Sequence, residues 1–227
     1  MSARDEVLAR IADAHRLAPP PDLPYAALTR DYRRADAGPQ DGSAELVEVL
    51  VDRLLDYKAL VRRTTADGLA ATVAEALRER GVRSLAVPEG VEAGWLDAAA
   101  DAGLEAVADP GPDGPLSVDA LDRVDGVLTG CALAVAATGT LVLDGTAGQG
   151  RRVVTLVPDY HLCVVRADQV VADVPQAVDR LEPTRPTTMI SGPSATSDIE
   201  LNRVEGVHGP RTLEVVVVEG PALPPDA

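Results

Sequence analysis

The chain has 227 residues, of which 46% are hydrophobic, and its formal net charge is -15. This length and composition suffice for one large domain with a full core, with or without an appendage. The negative charge argues against binding to nucleic acid or to an anionic membrane, because both partners attract basic surfaces. Aromatic residues make up only 2% of the chain, so the stacking platforms that single-stranded nucleic acid needs are also scarce.

The beginning of the chain, MSARDEVLARIADAH, lacks the apolar segment of a secretory signal, and no stretch approaches the roughly 18 apolar residues of a transmembrane helix. We therefore expect a cytoplasmic protein. The two cysteines, Cys131 and Cys163, lie in separate apolar runs. They are too few to hold an iron–sulfur cluster, which generally needs about four ligands, and they lack the spacing of zinc or redox motifs. Buried free thiols are favoured over a disulfide.

The first 42 residues differ in sequence pattern from the rest of the chain. Residues 2–16 predict an amphipathic helix with one apolar stripe. Residues 18–42 are rich in proline and glycine, which predicts an extended linker. Residues 1–42 are therefore expected to form an arm that packs on the body of the protein or on a partner, and disorder in part of this segment is the alternative. The apolar stripe of the predicted helix consists of Val7, Leu8 and Ile11.

Residues 43–220 alternate helical and extended patterns, which is typical of an α/β protein with a parallel sheet. Residues 221–227 contain three prolines and predict a flexible tail. The run 213–219 is almost wholly apolar and predicts a central strand buried on both faces. The predicted helices cover residues 43–58, 65–80, 95–102, 118–121 and 174–181. The predicted strands cover residues 84–87, 104–107, 126–131, 132–137, 139–143, 152–157, 162–166, 187–191 and 213–219.

The glycine-rich loop, residues 145–152 (GTAGQGRR), superficially resembles a phosphate-binding loop. It lacks the lysine and hydroxyl residue of that motif, and no helix follows, so a flexible hairpin turn is the favoured interpretation. Arg151 and Arg152 remain candidates to reach an acidic ligand or partner. His161 stands alone at the start of a strand, where a structural role is more common than a functional one.

The segment Ala137-Thr138-Gly139-Thr140 lies between two extended runs. Gly139 would let the backbone approach a neighbour or a ligand closely. The hydroxyls of Thr138 and Thr140 could donate hydrogen bonds to an anion. A bulge or a tight bend between strands is the favoured interpretation of the spacing.

Residues 191–200 (SGPSATSDIE) follow a predicted strand and are the densest group of polar side chains in the sequence. Ser197 and Glu200 fit a capping box at the start of a short helix that ends near Gly206. A helix start after a strand also attracts anions, and ligands of α/β sheets tend to bind beyond the carboxyl ends of strands. The residues alone leave a binding site and a capped turn equally open.

The sequence His208-Gly209-Pro210-Arg211 follows the predicted short helix. His208 could act as a general acid or base, and Arg211 could bind a carboxylate. The alternative is a Gly–Pro turn that leads into the last strand.

Four segments together resemble the LUD domain found in lactate-utilisation protein C and its YkgG-like relatives. They are ATGTLVLD (137–144), VPDYH (157–161), SGPSATSDIEL (191–201) and GVHGPR (206–211). The resemblance covers about residues 40–220. It implies an α/β fold, namely a Rossmann-like three-layer sheet of the type shared by glucosamine-phosphate deaminase, ribose-phosphate isomerase and CoA transferases, here preceded by an N-terminal helical arm.

The resemblance also implies a role in bacterial oxidation of L-lactate to pyruvate. This chain would bind no cofactor alone, and iron–sulfur centres would be carried by partner proteins. A small carboxylate or other anion would bind between the two polar loops. The implied ligand-binding residues are Thr138, Gly139, Thr140, Ser191, Gly192, Ser194, Thr196 and Arg211, and the candidate catalytic residues are His208, Asp198 and Glu200.

Two alternatives remain open on the same fold. The chain could be a stand-alone isomerase or acyl/CoA transferase, in which Glu200 or Glu205 would supply the carboxylate nucleophile. It could instead be a non-catalytic assembly or regulatory module, with residues 1–42 docking a partner. The sequence leaves a homodimer open.

Overall fold

The computed structural model describes residues 2–17, 24–29, 41–196, 204–205 and 208–220. The chain divides into two units, Met1–Arg33 and Arg34–Ala227. The first unit contains helix α1 (Ala3–Leu17), which confirms the predicted N-terminal helix, and a 3-10 turn at Tyr25–Ala27. No side chain of α1 is buried, and its apolar stripe is about half exposed.

The second unit is a mixed α/β structure. Its helices are α2 (Ala44–Asp56), α3 (Leu69–Arg80), α4 (Asp97–Asp101), α5 (Val118–Arg123) and α6 (Val174–Arg180). Its strands are β1 (Leu60–Thr65), β2 (Ser84–Pro88), β3 (Glu105–Asp109), β4 (Gly126–Thr129), β5 (Leu133–Val135), β6 (Thr140–Leu143), β7 (Tyr160–Arg166), β8 (Val170–Val171), β9 (Thr188–Ile190), β10 (Ala195–Thr196), β11 (Val204–Glu205) and β12 (Thr212–Glu219).

Six strands form a central sheet in the order β1-β12-β7-β4-β2-β3, and every neighbouring pair is parallel. This arrangement confirms the predicted parallel sheet. Strand β12 lies between β1 and β7, and its residues from Leu213 to Val218 are all buried. The apolar run near the end of the chain is therefore an inner strand, as its lack of polar alternation predicts.

The central sheet is covered on both faces, which gives three layers. On one face, Cys163, Val215 and Val217 pack with α2 and with a second, four-stranded sheet of order β8-β5-β6-β9. On the opposite face, Val164 and Val216 pack with α3 and α4. Successive residues of β7 and β12 point to opposite faces, so both faces of these strands must be apolar.

Local sequence signals set the ends of several elements. The Ser43 side chain accepts a hydrogen bond from the Leu46 amide and caps α2. Gly81 takes a left-handed conformation and ends α3. Gly139, with φ of 59°, makes the tight bend between β5 and β6. A Cβ atom at Gly139 would lie 2.8 Å from Cβ of Arg53 in α2, so the close backbone approach predicted here is confirmed.

Three sequence predictions for the core elements are wrong. Strand β1 was not predicted, because its sequence LVRRTT has no apolar alternation; it is an edge strand whose Arg62 and Arg63 pair with acids of β12. Helix α3 therefore begins at Leu69 and not at Thr65. Residues 152–157 do not form a strand. They contain a 3-10 helix, Arg152–Thr155.

The glycine-rich loop is also not a hairpin turn, because no strand follows it and β6 pairs with β5 and β9 instead. Arg151 binds Asp109 within the chain, with Nε 2.9 Å from Oδ2. Val204–Glu205, where the predicted short helix would end, pairs as a strand with Ala195–Thr196. The capping residues Ser197 and Glu200 lie outside the described residues.

A charged group is buried between the central sheet and α3. The carboxylate of Glu214 is 1% exposed and lies 2.5 Å from Nε of Arg62. It also accepts a hydrogen bond of 2.9 Å from the Tyr160 hydroxyl. Burial and the neighbouring Glu214 carboxylate raise the pKa of Tyr160, which stays a neutral donor. These partners offset the cost of burying the carboxylate.

None of the helices in the described part of the chain is both long and apolar enough to span a bilayer.

Candidate functional site

Two of the polar loops singled out in the sequence meet just before strand β12. The Ser194 amide donates a hydrogen bond of 2.8 Å to the Pro210 carbonyl. The Ser194 hydroxyl accepts one of 2.8 Å from the His208 amide. Ser194 therefore joins the two loops through its backbone and through its side chain.

The third polar loop, residues 137–140, meets the other two loops through the pairing of two strands. Strand β6 pairs antiparallel with β9, which brings residues about fifty positions apart side by side. The Thr140 hydroxyl lies 2.8 Å from the Ser191 hydroxyl and 2.7 Å from that of Thr138. Gly192 packs directly on the end of α2, since a Cβ atom there would lie 2.8 Å from the Tyr57 carbonyl oxygen. These contacts bring the three polar loops together, and the assignment of their residues to a ligand stays a prediction.

A cavity of about 270 Å³, which we call the amino-edge cavity, opens beside these loops. Its polar lining residues are Arg152, Thr155, His161, Thr188, Ser191, Ser194 and His208. Thr138, Gly139, Thr140 and Arg211 do not line the cavity. Arg211 is exposed, and its Nε lies 2.6 Å from Oδ1 of Asp159.

The other predicted site residues are described only in part or not at all. Thr196 forms part of the two-residue strand β10, and Glu205 part of its partner β11, so only their backbones are described. Asp198 and Glu200 lie outside the described residues. Their assignment as catalytic residues stays a prediction.

Arg152 is the charged side chain of the amino-edge cavity among the described lining residues. Arg152 is exposed and makes no ion pair with any described residue, and no described carboxylate lines the cavity. His161 is buried, and one ring nitrogen lies 2.7 Å from the Thr129 hydroxyl. Burial lowers the pKa of His161 to about 4, so the ring is neutral at pH 7. Arg152 therefore supplies a positive charge to the lining, and His161 does not.

Arg152 and Thr155 line the cavity although the sequence pattern does not predict that they lie near the polar loops. Thr155 is buried and donates a hydrogen bond of 3.1 Å to the Arg152 carbonyl, which holds the 3-10 turn. The sequence of this turn predicts a strand, in which neighbouring side chains would point to opposite faces. Arg152 was a candidate binding residue because of its place at the end of the glycine-rich loop. The polar-loop residues that line the cavity with it come from distant parts of the chain, so the sequence did not connect them.

The cavity lies at the amino edge of the central sheet, which contradicts the expected location beyond the carboxyl ends of strands. His161 is the second residue of β7, and Leu213, which also lines the cavity, is the second residue of β12. The reason is connectivity, because the polar loops lead into β12 and therefore contact its amino end.

Among the residues that the structure describes, no group of three or more His, Cys, Asp or Glu side chains is placed to hold a metal ion. Cys131 and Cys163 are both buried and free, as predicted. Among the described residues, the lining of the amino-edge cavity offers the Arg152 guanidinium, hydroxyl groups, the neutral imidazole of His161 and the side chain of His208. This donor set suits the binding and orientation of a small anion.

The fold and the site define a three-layer α/β protein with a parallel central sheet and a small cavity, lined by an arginine, at its amino edge. The LUD domain matches residues 59–218, which is more than half of the chain. The chain therefore belongs to the LUD domain family, and the resemblance noted in the sequence is confirmed.

Individual relatives agree with this assignment. The chain is 48% identical to lactate utilization protein C of Deinococcus radiodurans over 77% of this chain and 80% of the relative. It is 28% identical to lactate utilization protein C of Halalkalibacterium halodurans over 79% and 82% of the two chains. A crystal structure of a DUF162 family protein from Deinococcus radiodurans matches with a TM-score of 0.66 and 41% identity, covering 79% of this chain and 99% of that one.

Proposed function

We propose that this protein takes part in bacterial lactate utilisation as a subunit that carries no iron–sulfur cluster itself. The observation that carries the proposal is the 48% identity, over most of both chains, to a protein named lactate utilization protein C. In the assembled system L-lactate loses two electrons and two protons to become pyruvate. The electrons pass to iron–sulfur centres on partner proteins.

The contribution of this chain is to bind a small carboxylate in the amino-edge cavity. The charge of Arg152 and the absence of any described carboxylate from the lining support an anionic ligand. The neutral His161 and the hydroxyl groups of the polar loops add hydrogen-bonding capacity without a second full charge. A cavity of about 270 Å³ suits a ligand of metabolite size.

Growth tests the physiological role. A strain that lacks this gene, and has no other lactate-oxidising system, should fail to grow on L-lactate and should grow normally on pyruvate. Growth should return when the gene is supplied on a plasmid. Normal growth of the deletion strain on L-lactate would overturn the proposed role.

Calorimetric titration of the purified protein with L-lactate and with pyruvate tests the cavity separately. Arg152→Gln should weaken binding by about tenfold or more, since a charge-assisted hydrogen bond contributes roughly 1.5–3 kcal/mol. Arg123→Gln is the matched control, because Arg123 is an exposed arginine at the end of α5 that does not line the cavity. Equal affinity of the two variants would remove Arg152 from the site.

A further inference from the structure

A second polar cavity lies at the opposite, carboxyl edge of the central sheet. It has a volume of about 260 Å³, and we call it the carboxyl-edge cavity. Its lining includes Gly90 after β2, Gly130 after β4 and Arg166 at the end of β7. The strands β2 and β4 are neighbours, but the chain leaves them in opposite directions along the sheet. After β2 it goes to β3, and after β4 the next central strand is β7, on the other side of β4. Such a crevice is where ligands of open parallel sheets bind.

The glycine-rich loop forms one wall of this cavity and is held in place by its own hydrogen bonds. The buried amide of Gln149 accepts a bond of 2.7 Å from the Asp144 amide and donates one of 2.6 Å to the Thr146 hydroxyl. The Gly148 amide donates a bond of 2.8 Å to the Glu89 carbonyl at the end of β2. The wall is therefore formed before a ligand arrives, which lowers the entropic cost of binding.

Arg166 supplies a cation with one buried guanidinium nitrogen, Nε, that makes no hydrogen bond to the described residues. The Asp168 carboxylate lies 3.4 Å from this nitrogen but outside hydrogen-bond geometry. Asp168 is itself exposed, so this ion pair is weak and an oxyanion could compete with it. The Gln169 side chain fixes the loop behind Arg166 by donating a bond of 2.7 Å to the Cys131 carbonyl.

The same cavity also contains an acceptor for a hydroxyl group. Oε2 of Glu92 accepts a hydrogen bond of 3.2 Å from the Trp95 indole. Its second oxygen has no partner among the described residues. A carboxylate in this place accepts a hydrogen bond from a hydroxyl group but repels a second anionic group. Arg166 and Glu92 together therefore select a ligand with one anionic group and at least one hydroxyl.

A neighbouring cavity of about 510 Å³ provides room for a longer ligand. The two cavities share Gly90, Thr146 and Ala147 as lining residues. Arg151 lines the neighbouring cavity but is already paired with the buried Asp109 at 2.8 Å. Glu89 also lines the neighbouring cavity, is exposed and makes no ion pair with any described residue. The neighbouring cavity thus adds space and one negative charge, so the part of a longer ligand that extends into it should be uncharged.

We propose that the carboxyl-edge cavity is a second binding site, which takes a small metabolite that carries one oxyanion and at least one hydroxyl group. The oxyanion binds the Arg166 guanidinium, the hydroxyl donates to Glu92, and the oxyanion is a carboxylate or a phosphate ester. This site is separate from the amino-edge cavity and does not rest on the proposed lactate role.

The only tryptophan of the chain reports on this site directly, because Trp95 lines the cavity. Fluorescence of the full chain is measured during titration with D-glycerate, glycerol 3-phosphate, acetate and glycerol. D-glycerate or glycerol 3-phosphate should give a saturable change, and which of them binds tighter distinguishes a carboxylate from a phosphate. Glycerol, which has no charge, should give none. Absence of a saturable change with both hydroxylated anions would overturn the proposal.

Two variants assign the roles of the two residues. Arg166→Gln should weaken binding of the better anion by about tenfold or more, whereas Arg152→Gln in the other cavity should leave it unchanged. Wild-type affinity in Arg166→Gln would overturn the proposal. Glu92→Gln, studied by calorimetry because it alters the Trp95 environment, should lose the preference for D-glycerate over acetate. An unaltered preference in that variant would overturn the hydroxyl assignment even if Arg166→Gln did not fold.

Discussion

At the scale of single residues, the most consequential side chain of the amino-edge cavity is His161, which is buried as a neutral imidazole. Its ring is 1% exposed and bonds the Thr129 hydroxyl. Burial lowers the pKa of His161 from 6.5 to about 4. The folded state therefore takes up this proton at a lower pH than the unfolded state does. The stability that the neutral ring supports is fully present above pH 6.5 and declines as the pH falls towards 4.

We expect this single group to reduce the free energy of unfolding by about 3 kcal/mol between pH 6.5 and 4. Urea unfolding of the wild type and of His161→Gln at several pH values should show the difference, because glutamine does not titrate. The variant should lose less stability on acidification than the wild type. His15→Gln, which changes an exposed histidine of α1, is the control and should follow the wild-type profile. Parallel profiles for the wild type and His161→Gln would contradict the assignment.

At the scale of elements, helix α2 positions two of the polar loops. Gly139 of the bend before β6 and Gly192 of the loop after β9 both approach its last two turns closely. Both glycines have positive φ angles. Side chains at these positions would push the loops away from the helix, because the atoms they meet include its backbone. The packing of α2 therefore determines how the bend before β6 and the loop after β9 meet.

A matched pair of glycine substitutions tests this packing. Gly81→Ala and Gly139→Ala both force alanine into a left-handed conformation, with φ of 69° and 59°. Nothing lies within 4 Å of the new Cβ atom at Gly81, whereas Arg53 lies 2.8 Å from the one at Gly139. Gly81→Ala should cost about 1 kcal/mol of unfolding free energy, and Gly139→Ala roughly 2 kcal/mol more. Equal costs in urea unfolding would show that the loop can move away from α2 freely.

At the scale of the whole molecule, the chain consists of a short first unit and a large second unit that contains both cavities. The second unit has its own core on both faces of the central sheet. In the first unit, helix α1 buries none of its side chains. The apolar stripe of α1 therefore contributes little to the stability of the protein as a monomer.

Deletion of residues 1–33 tests how much the first unit contributes to stability. The truncated protein should unfold cooperatively, with a free energy within about 0.5 kcal/mol of the full chain, since the removed helix carries no buried side chain. Its affinity for the ligands of both cavities should also be unchanged. Loss of cooperative unfolding on truncation would show that the first unit belongs to the core of the folded protein.

Sequence patterns predicted the elements whose signals are local. Ser43 and Gly81 mark the ends of helices through their own side chain or backbone freedom. The apolar run of β12 predicted an inner strand. Strand β1 was not predicted, because its arginines are stabilised by acids about 150 residues away, which no local pattern reveals. The turn at Arg152–Thr155 was read as a strand because short apolar runs fit both structures.

The sequence by itself determined the α/β class, the family and the identity of the polar loops, because these depend on periodicity and on short motifs. Only the tertiary structure decided where these loops lie. The pairing of β6 with β9 brought Thr140 to Ser191, and the connection into β12 placed the first cavity at the amino edge. Arg166 and Glu92 converge at the opposite edge because β2, β4 and β7 end there. Such convergence depends on strand order, which is a property of the whole fold.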